Sequence, residues 1–367
     1  MSERRDPGAV TEGMKAAGYY DAHSEYQRRV VEGGDATIRE IIEAIDLDAI
    51  GGALTVADYG AGTGATSVHS VRTAVAALRE RSRELPVLAI HNDVVTNDFT
   101  ALFGNVAGEG SYLELPGGPV YAAAAAGSFY SQVVPSATVQ VGMCSNAAHW
   151  YREQPAVELP GSMYFPDAPR DVRRALADQA AADWSAFLTA RSSELATGGR
   201  LLVEGIGRTT GPDGSELVSA SRLLRVMWKV AEDLSGDGLL DSGVLDGYVF
   251  PAYCRSAEEA TAPLDAGSVL AEAFEACSAD IDEVANPYWE MLQRDGDRAA
   301  YAAAYTAFVR AFSESTMTTH LFEPGARGID SDKLCDEYFA RFEAASAADP
   351  DAGRYEAWIL RLVLARR

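Results

Sequence analysis

Asp58 is followed at every second position by a glycine, Gly60, Gly62 and Gly64, in the segment VADYGAGTGATS at 56–67. Leu54 to Val56 lead into it as an apolar-leaning run, and Ala65 to Leu78 reads as a helix. A strand feeding a glycine turn and then a helix lets backbone approach a ligand with no Cβ in the way. Dinucleotide binding, a methyl-donor cradle and a plain tight turn all use such a pattern, so alone it names no chemistry. A second acid, Asp93, ends the run VLAIHND at 87–93. A carboxylate there can accept protons from both hydroxyls of a ribose, and a solvated strand-end acid is the plainer alternative. A third segment, GSFYSQVVPSATVQVGMCSNAAHW at 127–150, reads as a shared wall for cofactor and substrate.

The elements that position these residues follow from periodicity. The pattern predicts a helix from Asp35, taken as its N-cap, with Ile38, Ile41, Ile42 and Ile45 on one face. Strand 54–58, the glycine turn and a helix to about Leu85 come next. Pro86 breaks that helix, and 87–93 reads as a buried strand. VYAAAA (120–125) and ATVQVGM (137–143) are further strands. Val172, Leu176, Ala180, Trp184, Phe187 and Leu188 recur at helical spacing over 171–195, with Gly198 and Gly199 as the stop and RLLVEGI (200–206) as the next strand. This alternation predicts a doubly wound α/β sheet. From 212 to 340 the pattern is helical without clear strands, and the apolar stretch 354–367 reads as a strand returning to the sheet. The expected organisation is an N-terminal segment over residues 1–34, a Rossmann-like core over 35–208, a helical cap over 209–345 and a C-terminal strand over 346–367.

Composition narrows the function classes. The 367 residues are 47% hydrophobic, enough for a large core. No apolar run is long enough to span a bilayer, and the N-terminus lacks the apolar stretch of a secretory signal. Cys144, Cys254, Cys277 and Cys335 form no C-x-x-C pair, which argues against cysteine chemistry and for a reduced, cytoplasmic setting. The net charge of −23 repels polyanions and disfavours nucleic acid as a partner. An anionic small substrate must therefore be captured by local donors against the global field.

MKAAGYYDAHSEYQ (14–27), VADYGAGTG (56–64), HNDVVTNDF (91–99), GSFYSQVVP (127–135) and SNAAHW (145–150) occur in that order, followed by TGGRLLVEGIGR (197–208) and DGYVFPAY (246–253). Together they resemble the salicylate/benzoate/theobromine (SABATH) methyltransferases. The resemblance is strongest before residue 210, with NDVVTNDF, GSFYSQVVP and the HW pair as its specific parts. It implies a class I methyltransferase fold, S-adenosylmethionine as methyl donor, a small carboxylic acid or sometimes a ring nitrogen as acceptor, and a homodimer. Carried over by residue, it places Ser24 and Asp58 at the methionine part of the cofactor, and it counts the turn glycines Gly60 and Gly62 as cofactor-binding. It places Asp93 and Val94 at the ribose, and Ser128 and Phe129 at the adenine. Gln27 and Trp150 would hold the acceptor carboxylate, with Lys15, Tyr20, Asn146 and His149 completing the pocket.

A carboxylate fits such a pocket chemically. With a pKa near ~4 it is ionised at neutral pH, so attack on a sulfonium methyl requires no base. The protein then has only to align the reacting atoms and exclude water. Each residue also has a structural alternative: Phe129 and Trp150 as core aromatics, His149 as a hydrogen-bonded structural imidazole, Gln27 and Ser24 as ordinary helix residues. The chain departs from the family at Ala61-Gly62-Thr63, where the turn is more generic, and at Asn146, where relatives carry an aromatic residue beside the acceptor ring. Met227, Trp228, Phe308 and Phe312 are the candidate acceptor-lining residues of the cap. Asp167 and Asp246, with Val249 in place of an amide ligand, offer too few oxygens for a divalent cation, and no metal is expected. N-methylation of a heterocycle, a nucleotide-dependent oxidoreductase and a non-enzymatic binding protein are the competing readings.

Overall fold

The computed structural model describes residues 23–367, so Lys15, Tyr20 and most of the 1–34 segment lie outside the described residues. Five strands come first, with helices between all but β3 and β4: β1 (Leu54–Tyr59), β2 (Val87–Asp93), β3 (Val120–Ala126), β4 (Val139–Ser145) and β5 (Leu195–Ile206). They pair in parallel, β1 between β2 and β4, with β3 outside β2 and β5 outside β4. A separate hairpin joins β6 (Arg208–Thr210) to β7 (Glu216–Val218), and β8 (Phe274–Val284) and β9 (Ala357–Arg366) add two antiparallel pairings to the main sheet. The order of the seven-stranded sheet is 3-2-1-4-5-9-8. The chain leaves β1 in one direction and crosses back to β4, so the carboxyl ends of β1 and β4 flank the switch point where such sheets bind ligands.

The helices are α1 (Glu25–Gly33), α2 (Asp35–Ala44), α3 (Ser67–Arg81), α4 (Phe99–Val106), α5 (Arg170–Glu194), α6 (Ser221–Gly236), α7 (Pro287–Asp295), α8 (Arg298–Met317) and α9 (Ser331–Ala348), with several single turns between them. Ile38, Ile41 and Ile42 of α2 pack with β1 and α3 in one apolar cluster. Leu176, Ala180, Trp184, Phe187 and Leu188 of α5 are buried as their spacing predicts. Another cluster joins α1 to α6, α8 and α9 and to the start of β9, so these later helices share one core with the N-terminal helix.

Four local expectations are corrected. Asp35 is the first residue of α2 rather than its N-cap; α1 runs straight into Gly34, which takes the cap position. The Asp35 carboxylate instead accepts from His69 and Thr73 of α3, both at 2.9 Å. Helix α3 ends at Arg81 rather than near Leu85, and Arg79 donates to the carbonyls of Leu85 and Gly118 across the gap. Helix α5, expected over 171–195, spans Arg170–Glu194, but Leu195 already turns extended, so Gly198 and Gly199 lie inside β5 and are not the stop. The largest correction is β8, an eleven-residue strand inside the region read as strandless. It is an edge strand with much of its length exposed, and Glu275, Asp280, Asp282 and Glu283 guard it from pairing with another chain. An edge strand wet on much of its surface carries no clear apolar alternation, which is why its pattern was hidden. The region 209–345 is thus interrupted by a return to the sheet. The stretch 354–367 does supply a strand, β9, antiparallel to β5.

Candidate active site

The glycine turn at the carboxyl end of β1 is an open cradle. Gly60, Gly62 and Gly64 all adopt positive φ, at 85°, 56° and 92°. A Cβ on Gly60 would fall 2.4 Å from the Ala147 Cβ, so glycine is required for the β1 and β4 loops to close on each other. A Cβ on Gly62 would meet nothing within 4 Å, which leaves its backbone facing open space. The Gly62 N–H donates to Asp93 Oδ2 at 2.6 Å, and the Val94 N–H to Oδ1 at 2.7 Å. A carboxylate offers about four lone-pair sites. Asp93 therefore clips the turn with two and keeps the others, enough for a vicinal diol. Burial pushes its pKa up, and those two N–H groups oppose the shift.

Asp58 lies deeper, almost fully buried, and burial pushes its pKa up to about 6; a hydrogen bond from Ser67 lowers it and the charge of Asp93 raises it. On the other side of β2, Asn92 donates to the carbonyls of Ala125 and Gly127 at 2.7 and 2.9 Å, and Gly127 N–H to the Asp93 carbonyl at 2.8 Å. These bonds bring exposed Ser128 and buried Phe129 beside Asp93.

The loop that carries Ser128 and Phe129 is held by groups that spacing did not single out. Arg191 and Glu194 of α5 form a fully buried ion pair at 2.8 Å. Arg191 donates to the Phe129 and Ser131 carbonyls, while Glu194 accepts the Val133 and Val134 N–H groups and the Tyr59 hydroxyl. The Arg191 guanidinium also stacks 3.9 Å from the Tyr59 ring centre. Every charge in the pair is met by several hydrogen bonds, the condition under which a buried ion pair is tolerated. A charged i,i+3 pair on an amphipathic helix reads as surface in a sequence, and only an unusual Arg and Glu on the apolar side of α5 hinted otherwise.

The loop after β4 is fastened from several sides. Asn146 sits at φ 56°, a left-handed conformation that Asn tolerates better than an aromatic residue, and its N–H donates to the Glu204 carbonyl at 2.8 Å. Arg255 donates to the Ala148 carbonyl at 2.7 Å, the Tyr253 N–H to the His149 carbonyl at 2.9 Å, and the Tyr130 hydroxyl to the Trp150 carbonyl. These contacts bring Asn146, His149 and Trp150 to one wall of a cavity whose opposite wall is α1, with Tyr26, Gln27 and Val30. The rest is largely apolar: Leu224, Phe250, Phe308, Phe312, Tyr355 and Ile359 among others. Phe308 and Phe312 were expected here. Met227 and Trp228 were too, but they are buried in the core that α6 shares with α8 and α9, and Leu224, one turn earlier, lines the cavity instead.

Among the described residues, three polar atoms of this cavity's lining are buried and meet no hydrogen-bond partner: Gln27 Oε1, Asn146 Nδ2 and His149 Nδ1. Unmet buried polar atoms are costly, about 1–3 kcal/mol each, and a cluster of them in an apolar cavity marks a ligand position. Burial and the nearby Arg255 push the His149 pKa down to about 3, so its imidazole is neutral at any working pH. Among the described residues, no cationic side chain lines the cavity. Ser24 is buried just ahead of Gln27 at the start of α1. The carboxylate of Asp167 is taken by Arg225 at 2.7 and 3.0 Å, and among the described residues no cluster of His, Cys, Asp and Glu is placed to hold a metal. No described helix is long and apolar enough to cross a membrane.

Residues 9–367 match the model of the SAM-dependent carboxyl methyltransferases. Gibberellic acid methyltransferase 2 of Arabidopsis thaliana is 31% identical over 233 residues, spanning 58% of this chain and 59% of that relative's length. A 3,7-dimethylxanthine N-methyltransferase of Camellia sinensis is 25% identical over 363 residues, 95% of this chain and 93% of the relative. Among solved structures, a loganic acid methyltransferase with SAH superposes with a TM-score of 0.79 at 23% identity, covering 96% of this chain and 98% of that one, a likeness of fold.

Proposed function

Because the chain belongs to the SAM-dependent carboxyl methyltransferase family, we propose that it methylates the carboxylate of a small, largely apolar acid to give the methyl ester. When bound, S-adenosylmethionine supplies a methyl group made electrophilic by its sulfonium. The residues of the cradle fit that cofactor. Asp93, with two acceptor sites left after clipping Gly62 and Val94, takes the ribose hydroxyls beside Val94. Ser128 and Phe129 flank the adenine, and Asp58 and Ser24 face the methionine part, with the Gly60 and Gly62 backbone against it. Gln27 and Trp150 orient the acceptor carboxylate, and Asn146 and His149 complete its surroundings.

The observation that carries the carboxylate reading is the absence of a usable base among the described residues of the acceptor cavity. His149 is too weakly basic, with its pKa near 3, and the phenols of Tyr26 and Tyr164 are pushed upward by burial. An acceptor in such a cavity must arrive already deprotonated, as a carboxylate does. Among the described residues the groups set to face the anion are neutral donors, and the positive charge of Arg255 acts on His149 in the same loop. N-methylation of a heterocycle is the second reading, favoured by the full-length similarity to the xanthine enzyme. The unmet Gln27 Oε1 also suits an N–H donor.

The pH dependence separates them. A depressed His149 pKa means its charge does not change above about pH 4, so it contributes no ascending limb near neutrality. Turnover at saturating cofactor is expected to be flat between about pH 6.5 and 8.5, because the acid's own pKa lies well below that window. A limb rising near pH 6.5 that disappears in His149→Gln would transfer the case to N-methylation.

A further inference from the structure

Behind the cradle runs a row of buried side chains that the roles above leave unused. Ser67, at the start of α3, hydrogen-bonds the Asp58 carboxylate. Its Oγ also lies 2.8 Å from His91 Nδ1, and His91 Nε2 lies 2.8 Å from the Tyr112 hydroxyl. Ser67, His91 and Tyr112 are all buried, His91 and Tyr112 completely. Histidine is a foreign residue in the middle of a central parallel strand, where apolar side chains are the rule.

Counting hydrogens gives the row a direction. Burial keeps His91 neutral, its pKa pushed down to about 4, so the ring carries one N–H. If Nε2 is bare, Tyr112 donates to it, Nδ1–H donates to Ser67, and the Ser67 hydroxyl is left to donate to Asp58. Every hydrogen then has an acceptor. If Nε2 carries the hydrogen, it donates to Tyr112, whose own buried O–H is left unmet. Ser67 would then turn toward Nδ1, and Asp58 would lose its donor. Buried polar groups are satisfied wherever geometry allows, so the first arrangement is selected.

We propose that His91 is a positioning residue for the cofactor: held as the Nδ1–H tautomer by Tyr112, it aims the Ser67 hydroxyl at Asp58 and so keeps Asp58 an ionised acceptor for the ammonium group of S-adenosylmethionine. This rests on the reading that Asp58 faces the methionine part. Among the described residues, the other titratable groups interacting with Asp58 are Asp93 from β2, Cys144 from β4 and Tyr112 from the turn before β3, none of them a cation. The Ser67 donor is therefore the group that favours the charged form.

Two measurements test it. In ligand-free protein with 15N-labelled histidine, the His91 resonances, assigned by their loss in His91→Leu, are expected to report the Nδ1–H tautomer. Calorimetric affinity for S-adenosylhomocysteine, which keeps the ammonium, is expected to be level above about pH 6.5 and to fall as pH drops through about 6, because a raised acid pKa means protonation there. In His91→Leu the fall begins at higher pH, with at least threefold weaker binding at pH 6. Ser67→Ala shifts it further, and adding His91→Leu to Ser67→Ala changes nothing more, since His91 acts through Ser67. Wild-type affinity independent of pH removes Asp58 from the ammonium and overturns the proposal with the reading beneath it. A pH-dependent wild type with the Nε2–H tautomer overturns the role of His91 alone. So does a pH-dependent wild type whose affinity profile is unchanged in folded His91→Leu. Should that variant not fold, the wild-type tautomer still decides.

Discussion

Asp93→Ala is expected to weaken S-adenosylhomocysteine binding by roughly 100-fold or more while the protein stays folded. A hydrogen bond to a charged group is worth about 1.5–3 kcal/mol. Two ribose hydroxyls on one carboxylate therefore supply about 3 kcal/mol at the low end, which is about 100-fold in affinity. The substitution has a second cost at the same site. Asp93 also accepts the Gly62 and Val94 N–H groups, so alanine unclips the glycine turn and leaves two backbone donors to find water. Asp93→Asn keeps one carbonyl acceptor and should fall between wild type and alanine. Calorimetry on the three proteins at pH 7.5 checks this. Equal affinities in folded proteins would remove Asp93 from the ribose.

The acceptor side is expected to respond separately. Trp150→Phe keeps an aromatic ring against Phe250 and His149, whose ring centres lie 5.7 and 5.3 Å away, but removes the indole N–H. Gln27→Ala removes the amide on the facing helix. Losing one donor to a bound carboxylate costs about 1.5–3 kcal/mol. The expected fall in kcat/KM for the acid is therefore roughly 10- to 100-fold for each variant. Cofactor affinity should be untouched, because neither residue is assigned to the cradle. A loss of cofactor affinity equal to the loss of kcat/KM would mean that the loop after β4 had collapsed as a unit.

The cradle could be read from the chain because its requirements are local. Glycines at positive φ after a buried strand, and an acid ending the next strand, are patterns within a few residues of one another. The wall proposed for the acceptor is visible only through SNAAHW and EYQ, since Gln27 and Trp150 come from α1 and from the loop after β4, which only the fold brings to one cavity. What the sequence hid was the pairing of buried polar groups. Arg191 with Glu194, Arg255 with the Ala148 carbonyl, and Ser67 with His91 and Tyr112 are buried groups whose partners lie on other elements or under the apolar face of a helix. Hydrophobic periodicity is blind to a polar residue satisfied in three dimensions. It was blind to β8 for the opposite reason, since an edge strand needs only part of its surface apolar. Lys15 and Tyr20 lie outside the described residues, and their place at the pocket stays a proposal.

The chemical nature of the transferred methyl group tests the central claim most directly. The protein is incubated with methyl-labelled S-adenosylmethionine and a panel of apolar carboxylic acids, with xanthines alongside, and the product is then exposed to mild alkali. A carboxyl methyl ester releases its label as volatile methanol, whereas an N-methyl product retains it. The account predicts base-labile label in products from one or more of the acids and none in the xanthines. Label that survives alkali, formed from a heterocycle while every acid is left unmodified, would contradict it.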